Sequence, residues 1–498
     1  MQCAKYEMQS EMMAGASHVF HFAFRILHFA LCSLLFLRAE ISTADEPPPK
    51  LVGSASCATA ACHGGLSGHK FVGSEFPIWS ARDPHSRAYS VLRNDLSQQM
   101  AEQLKLPKPA HESAVCLNCH SPATSADSKQ SSISGRKPFD GVDCEQCHGP
   151  AERWLTEHVR TDWKSRSADD KRRRGYRDLT DVLTRANTCA DCHVGAPGRD
   201  VNHELIAAGH PRLFFELATF HANWPKHWPA ESDAKRHPVA ESANGGSIFE
   251  AKLWAVGQVV TAQRSLELLV QRAELAQQQP AKWPELAEWN CFACHHDLQT
   301  PSWWQSKDGT QRPRVSFRWN SWPSAMLDSL ARPNAGPALP IPSPNLTKLQ
   351  RYFASPLPPA ELIAVEAATA AKSLRLVAEQ LNHADAARDV LSPKSLTALR
   401  LALVTDEGPR LVSRDWDSAT QLFLSLNALQ HAIAATQASP TATHSERDRQ
   451  IQDVLDSMNE TLNFQHGLRS PRDFAAPPIE RLQSDLRSLK KLLSQPRP

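Results

Sequence analysis

The sequence predicts a mainly α protein, loop-rich in its first part and a helical bundle in its last. Apolar residues recur at near-helical spacing in Phe249, Leu253, Val256, Val260 and Ala262. They do so again in Leu362, Val365, Ala368, Leu374, Val377 and Leu381, and from Trp416 through Ala419, Leu422, Phe423, Leu426, Leu429 and Ile433. The 498 residues also include 36 prolines against 20 glycines, which suits long, stiff connections between compact parts. A hydrophobic share of 41% and a charged share of 22% are those of an ordinary soluble protein. The formal charge of +2, with no basic stripe interleaved with aromatics, argues against a nucleic-acid binder.

At the N-terminus an apolar run from Ile26 to Leu37 lies between Arg25 and Arg38 and is followed by Ser42-Thr43-Ala44, which has the character of a small-residue cleavage site. A spanning helix needs roughly 20 apolar residues, so this run reads as the core of a signal peptide over residues 1–44. Only Lys5 and Arg25 are positive ahead of it, opposed by Glu7 and Glu11, so Met12 or Met13 suits better as the start. The mature protein is expected to be periplasmic or otherwise exported, with no transmembrane span after cleavage.

Of twelve cysteines, Cys3 and Cys32 fall in that segment, and the remainder form close pairs. Four pairs read Cys116-Leu-Asn-Cys119-His120, Cys144-Glu-Gln-Cys147-His148, Cys189-Ala-Asp-Cys192-His193 and Cys291-Phe-Ala-Cys294-His295. The fifth is wider, Cys57-Ala-Thr-Ala-Ala-Cys62-His63. A histidine follows every pair, a coincidence with a chance probability on the order of 10⁻⁷. This spacing serves covalent haem attachment. Two thiols reach the two vinyl groups on one porphyrin edge, and the next residue turns back to put an imidazole on iron. In the wider motif two surplus residues can bulge away while Cys57, Cys62 and His63 keep these tasks. Disulfides suit an exported chain but require no following histidine. Zinc needs four ligands per metal, and five half-sites pair badly. About five covalently attached c-type haems, with their iron, are therefore expected.

Each motif histidine fills one axial position of iron, and the other position decides between electron transfer and ligand chemistry. The best candidates for a second histidine are His85 in Asp83-Pro84-His85, His158, and His210 in Ala208-Gly209-His210-Pro211-Arg212. His203, His221, His227 and His237 rank below them, and His296 adjoins a motif histidine too closely to serve the same iron. No motif replaces its histidine with lysine, which removes one marker of a catalytic haem. Tyr89 and Tyr176 read as ordinary packing beside porphyrin.

Leu51-Val52-Gly53-Ser54, Trp79, Asp83-Pro84-His85 with Ala88-Tyr89, Gly141-Val142-Asp143 before Cys144, His148-Gly149-Pro150, and Asn202-His203-Glu204 resemble segments of the cytochrome c554 family of multihaem cytochromes. The resemblance covers roughly residues 50 to 225. It implies a mostly helical, loop-rich domain with closely stacked haems, periplasmic location and mainly bis-histidine iron. The widened first motif and the distant last one depart from the family's tetrahaem pattern.

The chain accordingly divides into a multihaem domain over 45–300, a Pro/Trp-rich linker over 301–344 and a helical domain over 345–498. Trp303, Trp304, Trp319 and Trp322 in the linker are expected to pack on haem edges or on the next domain. Pro359 and the N-cap residue Asp415 mark helix starts in the last part, where His383, His431, His444 and His466 read as surface residues. Lys171-Arg172-Arg173-Arg174 reads as a solvated face, with docking of an acidic redox partner as its other use. The expected function is electron transfer between redox proteins acting as donor and acceptor. The alternative is an oxidoreductase acting on hydroxylamine, nitrite or nitric oxide at a five-coordinate haem.

Overall fold

A computed structural model describes residues 47–65, 73–122, 141–238, 247–295, 317–331, 338–437, 446–462 and 478–495. The expected signal segment lies outside them, as do Trp303, Trp304, His296, His444 and His466. Residues 50–498 form one compact unit. Among the described residues helices are joined by loops and three isolated β-bridges, with no strand, so the mainly α expectation holds.

Up to residue 238 the helices are short, and several start at polar caps. Asp143 accepts hydrogen bonds from Glu145 N and Gln146 N and so starts Cys144–His148; Asp181 accepts from Thr184 N and starts Val182–His193. Asn202 likewise caps His203–Ala207. Such caps satisfy amides that the first turn leaves unpaired, and they fix where each helix begins. Apolar packing here is slight. Tyr89, Leu92, Ala101, Ala110 and Leu117 make one buried cluster, and Ala151, Trp154 and Trp163 another.

The long helices lie beyond residue 247, with shorter ones between them. Phe249–Gln278 is the core helix that its pattern predicts, with Leu253, Trp254, Val256, Val260 and Leu269 fully buried. It packs most extensively against Ala360–Asn382. The expected stripe on that second helix is out of phase at its start: Leu362 and Val365 are exposed, and so is Ala368. The buried face runs through Ile363, Ala367, Ala370, Leu374, Val377 and Leu381 instead. Small alanines let the two helices approach closely, and weighting size over phase hides that face. Asp415 caps Trp416–Gln437 through Ser418 N at 2.7 Å, as expected. Pro393–Ala402, Gly408–Arg414, Glu446–Leu462 and Ile479–Ser494 complete this part around one continuous core that also takes in Val182, Ala186, Leu217 and Trp289.

Polar bonds join the haem-motif region to these helices. Asn382 Nδ2 donates to Asp181 Oδ1 at 2.6 Å, and Trp322 Nε1 to Phe215 O at 3.0 Å. Arg212 forms a buried ion pair with Asp417 at 2.7 Å. Trp319 and Trp322 are buried, Trp319 stacking on Phe353 at 5.8 Å. No described helix is long and apolar enough to cross a membrane.

Candidate haem centres

Three of the standard motifs form the ends or wholes of helices, Ala114–His120, Cys144–His148 and Val182–His193, and the last begins with a single 3₁₀ turn, Cys291–Ala293. There His295 N donates to Cys291 O at 2.8 Å, bringing histidine back under its first cysteine. The widened motif makes the same cysteine-to-histidine bond, His63 N to Cys57 O at 3.3 Å. Its surplus residues close into a loop, because Cys62 N and Gly64 N both donate to Thr59 O at 2.9 Å. A Cβ on Gly64 would collide with the Ala58 carbonyl, a requirement that the cysteine spacing alone does not reveal.

Every motif histidine faces one histidine from elsewhere in the chain. The ring centroids of His63 and His158 lie 6.1 Å apart, those of His120 and His210 6.4 Å, and those of His148 and His227 6.3 Å. His193 and His85 are 6.0 Å apart, and His295 and His203 6.4 Å. A metal–nitrogen bond of about 2 Å on each side, plus about 1.2 Å from nitrogen to ring centre, places two imidazole centroids about 6.4 Å apart across one metal. The residues therefore fit iron held between two imidazoles at each motif. Among the described residues no group of three or more His, Cys, Asp and Glu side chains is placed to hold a bare ion.

The other ring nitrogen of many of these histidines is anchored. Nδ1 of His120 lies 2.8 Å from Ala88 O, that of His158 2.6 Å from Leu155 O, and that of His210 2.8 Å from Pro211 O. His63 Nδ1 donates to Glu75 at 3.0 Å and His85 Nδ1 to Asp83 at 2.8 Å. Each bond fixes the tautomer and leaves Nε2 for a metal. Burial alone would raise Asp83, yet donation from His85 and from Trp224 Nε1 holds its carboxyl below the usual range. Burial pushes His148 and His193 down to about 4, so both are neutral at neutral pH, the form in which imidazole ligates.

The motifs also meet one another. The Cys57 thiol lies beside that of Cys144, and the Cys119 thiol beside that of Cys192. Around the last motif a cavity of about 570 Å³ is lined by His203, Cys291, Cys294 and His295, with Arg212 and Trp319 on its wall and His193 at its edge. Its size and apolar character suit a group as large as a porphyrin.

Of the expected partner histidines, His85, His158 and His210 all face a motif histidine. His203 and His227 do so as well, although the sequence ranks them lower. His221 instead accepts from Arg185 at 2.9 Å beside Asp233, and His237 stacks on Phe249. Tyr89 is buried in one small cluster, and Tyr176 packs edge-on against Trp154 and Trp163. The basic run is largely self-neutralised: Arg172 pairs with Asp169, and Arg173 and Arg174 with Asp170.

Glu145, between the cysteines of its motif, goes unnoticed in the sequence. It is buried, and its carboxylate accepts from Val52 N at 2.9 Å, Gly53 N at 2.6 Å and Ala151 N at 2.8 Å, tying the first motif's approach to the third motif. Gly149 follows that motif at φ +85°, where a Cβ would strike Gly175 O.

No curated protein and no solved structure matches the chain. Residues 56–149 match the family model described as cytochrome c554 and c-prime, a stretch holding the first three motifs, His85 and Glu145. Over these residues the chain is similar to the cytochrome c554 family of c-type cytochromes, whose cofactor is covalently bound haem with iron.

Proposed function

We propose that the protein is an exported, periplasmic electron carrier with five haems, each iron held between two histidines of this chain. The pairs are His63 with His158, His120 with His210, His148 with His227, His193 with His85, and His295 with His203. The observation that carries this reading is the recurrence of one centroid spacing, 6.0 to 6.4 Å, at all five motifs. When bound, haem iron supplies one-electron redox chemistry.

The chain's residues hold the cofactors and set their surroundings. Cysteine thiols fix each porphyrin edge, while Asp83 and Glu75 strengthen imidazole donation at His85 and His63. Cys62, Cys294 and His295 are exposed, whereas the ligands of the middle motifs are half-buried, which favours the first and last sites as the places where redox partners dock. With an imidazole on both sides of every iron, the arrangement favours electron transfer over chemistry on a small nitrogen species. Reductive titration tests the proposal: five electrons taken up per chain are expected, and alanine at His120 or His148 should each remove one low-spin signal. Four electrons would remove the widened motif from the set.

A further inference from the structure

Large apolar side chains left in water gather at one end of a helix pair, beside the last motif. Phe249–Gln278 and Ala360–Asn382 run antiparallel: Lys252 Nζ donates to Asn382 O at 2.6 Å, and Arg375 pairs with Glu267 at 2.9 Å. The last turns of the first helix therefore lie beside the first turns of the second. There Trp283 Nε1 donates to Pro358 O at 2.8 Å and Trp289 Nε1 to Phe353 O at 2.9 Å, which ties the approach to Cys291 to the turn before Ala360.

Five of the twelve exposed large apolar side chains among the described residues belong to these segments: Leu275, Leu286, Leu357, Leu362 and Val365. Leu357 is 76% exposed and Val365 64%, so neither is merely grazed by solvent. Leu286 also lines the cavity of the last motif, where Cys294 and His295 are exposed. Single surface leucines are ordinary, whereas a concentration of them marks a surface that something covers.

Charge decides what covers it. The exposed charges that flank these residues in the chain balance, Glu274 and Glu361 against Lys282 and Arg351, while the Glu285 carboxylate accepts from His203 N. A transient redox partner is steered in by opposite charge, which this surface does not offer. Two identical surfaces meet without repulsion where each is close to neutral, and interfaces between copies of one chain are the more apolar kind.

We propose that a second copy of this chain docks on this surface, with a two-fold axis that sets the last motifs of the two copies side by side. The consequence for function rests on the electron-carrier reading above: electrons cross between copies at the last site, and the first site is left for other redox partners.

Sedimentation equilibrium of the haem-loaded protein tests this. The native chain should be a dimer and stay one at high salt. Leu357→Glu combined with Leu362→Glu, both at exposed positions, should be monomeric with an unchanged haem spectrum. Leu376→Glu, on the same helix but about 21 Å beyond Leu362, should remain dimeric. A monomeric native chain, a dimer that high salt dissolves, or one that the double variant leaves intact would overturn the proposal, and the two native measurements stand even where a variant fails to fold. A monomer that takes up five electrons would overturn it and leave the electron-carrier reading standing, whereas a dimer that takes up fewer would count against that reading alone.

Discussion

Residues 50–238 and residues 247–495 build their interiors from different materials. In the first stretch short helices enclose two small apolar clusters of their own and lend the larger core residues such as Val182, Ala186, Phe215 and Leu217, while imidazole, thiol and a few buried carboxylates such as Asp83 and Glu145 converge in the rest. In the second, long helices bury leucine, valine and alanine in one continuous core that extends back only as far as Val182. A chain with little apolar surface of its own to bury needs another source of burial to offset the entropy of ordering. The first stretch is thus arranged around four of the five motifs, whereas the second, which carries the last motif, is built mainly around its own apolar core.

The comparison breaks first if haem attachment is blocked. With all ten motif cysteines replaced by alanine, limited proteolysis should cut freely between residues 50 and 238 while the fragment from 247 onward persists. Equal sensitivity in both parts would end the distinction. A smaller effect is expected where the parts meet. Arg212→Met leaves Asp417 buried without its cation, a loss of roughly 3–5 kcal/mol in denaturant unfolding, and adding Asp417→Leu should recover most of it. Glu145→Ala strips the amides of Val52, Gly53 and Ala151 of their acceptor, costing roughly 1–3 kcal/mol and loosening the approach to the first motif, detectable as faster amide exchange there. At the small end, Arg172→Ala breaks a pair exposed on both sides and should leave the melting temperature unchanged.

The two stretches also differ in how far the sequence reveals them. Motif cysteines and histidines are legible because the chemistry dictates a local spacing. His85, His158 and His210 stand out because a neighbouring Asp83, a nearby motif or a Gly-His-Pro turn marks them. His203 and His227 carry weaker marks, a capping Asn202 and a bracket of two tryptophans and two prolines, and only the fold brings them opposite His295 and His148. Helices beyond 247 are legible as helices, but the phase of Ala360–Asn382 is not, since alanine on a closely packed face gives a weak apolar signal. Arg212 and Asp417 stand 205 residues apart, beyond any local pattern.

The angle between facing rings gives the bis-histidine account its most direct test. His63 and His158 are 14° from parallel and His295 and His203 27°, while the other three pairs cross at 70°, 83° and 89°. Near-parallel imidazoles give rhombic low-spin ferric signals, and crossed ones give a single large-g feature. Electron paramagnetic resonance of the oxidised protein should therefore show two rhombic and three large-g low-spin centres per chain, with no high-spin iron. A resting high-spin signal, or fewer than five low-spin centres, would contradict the account.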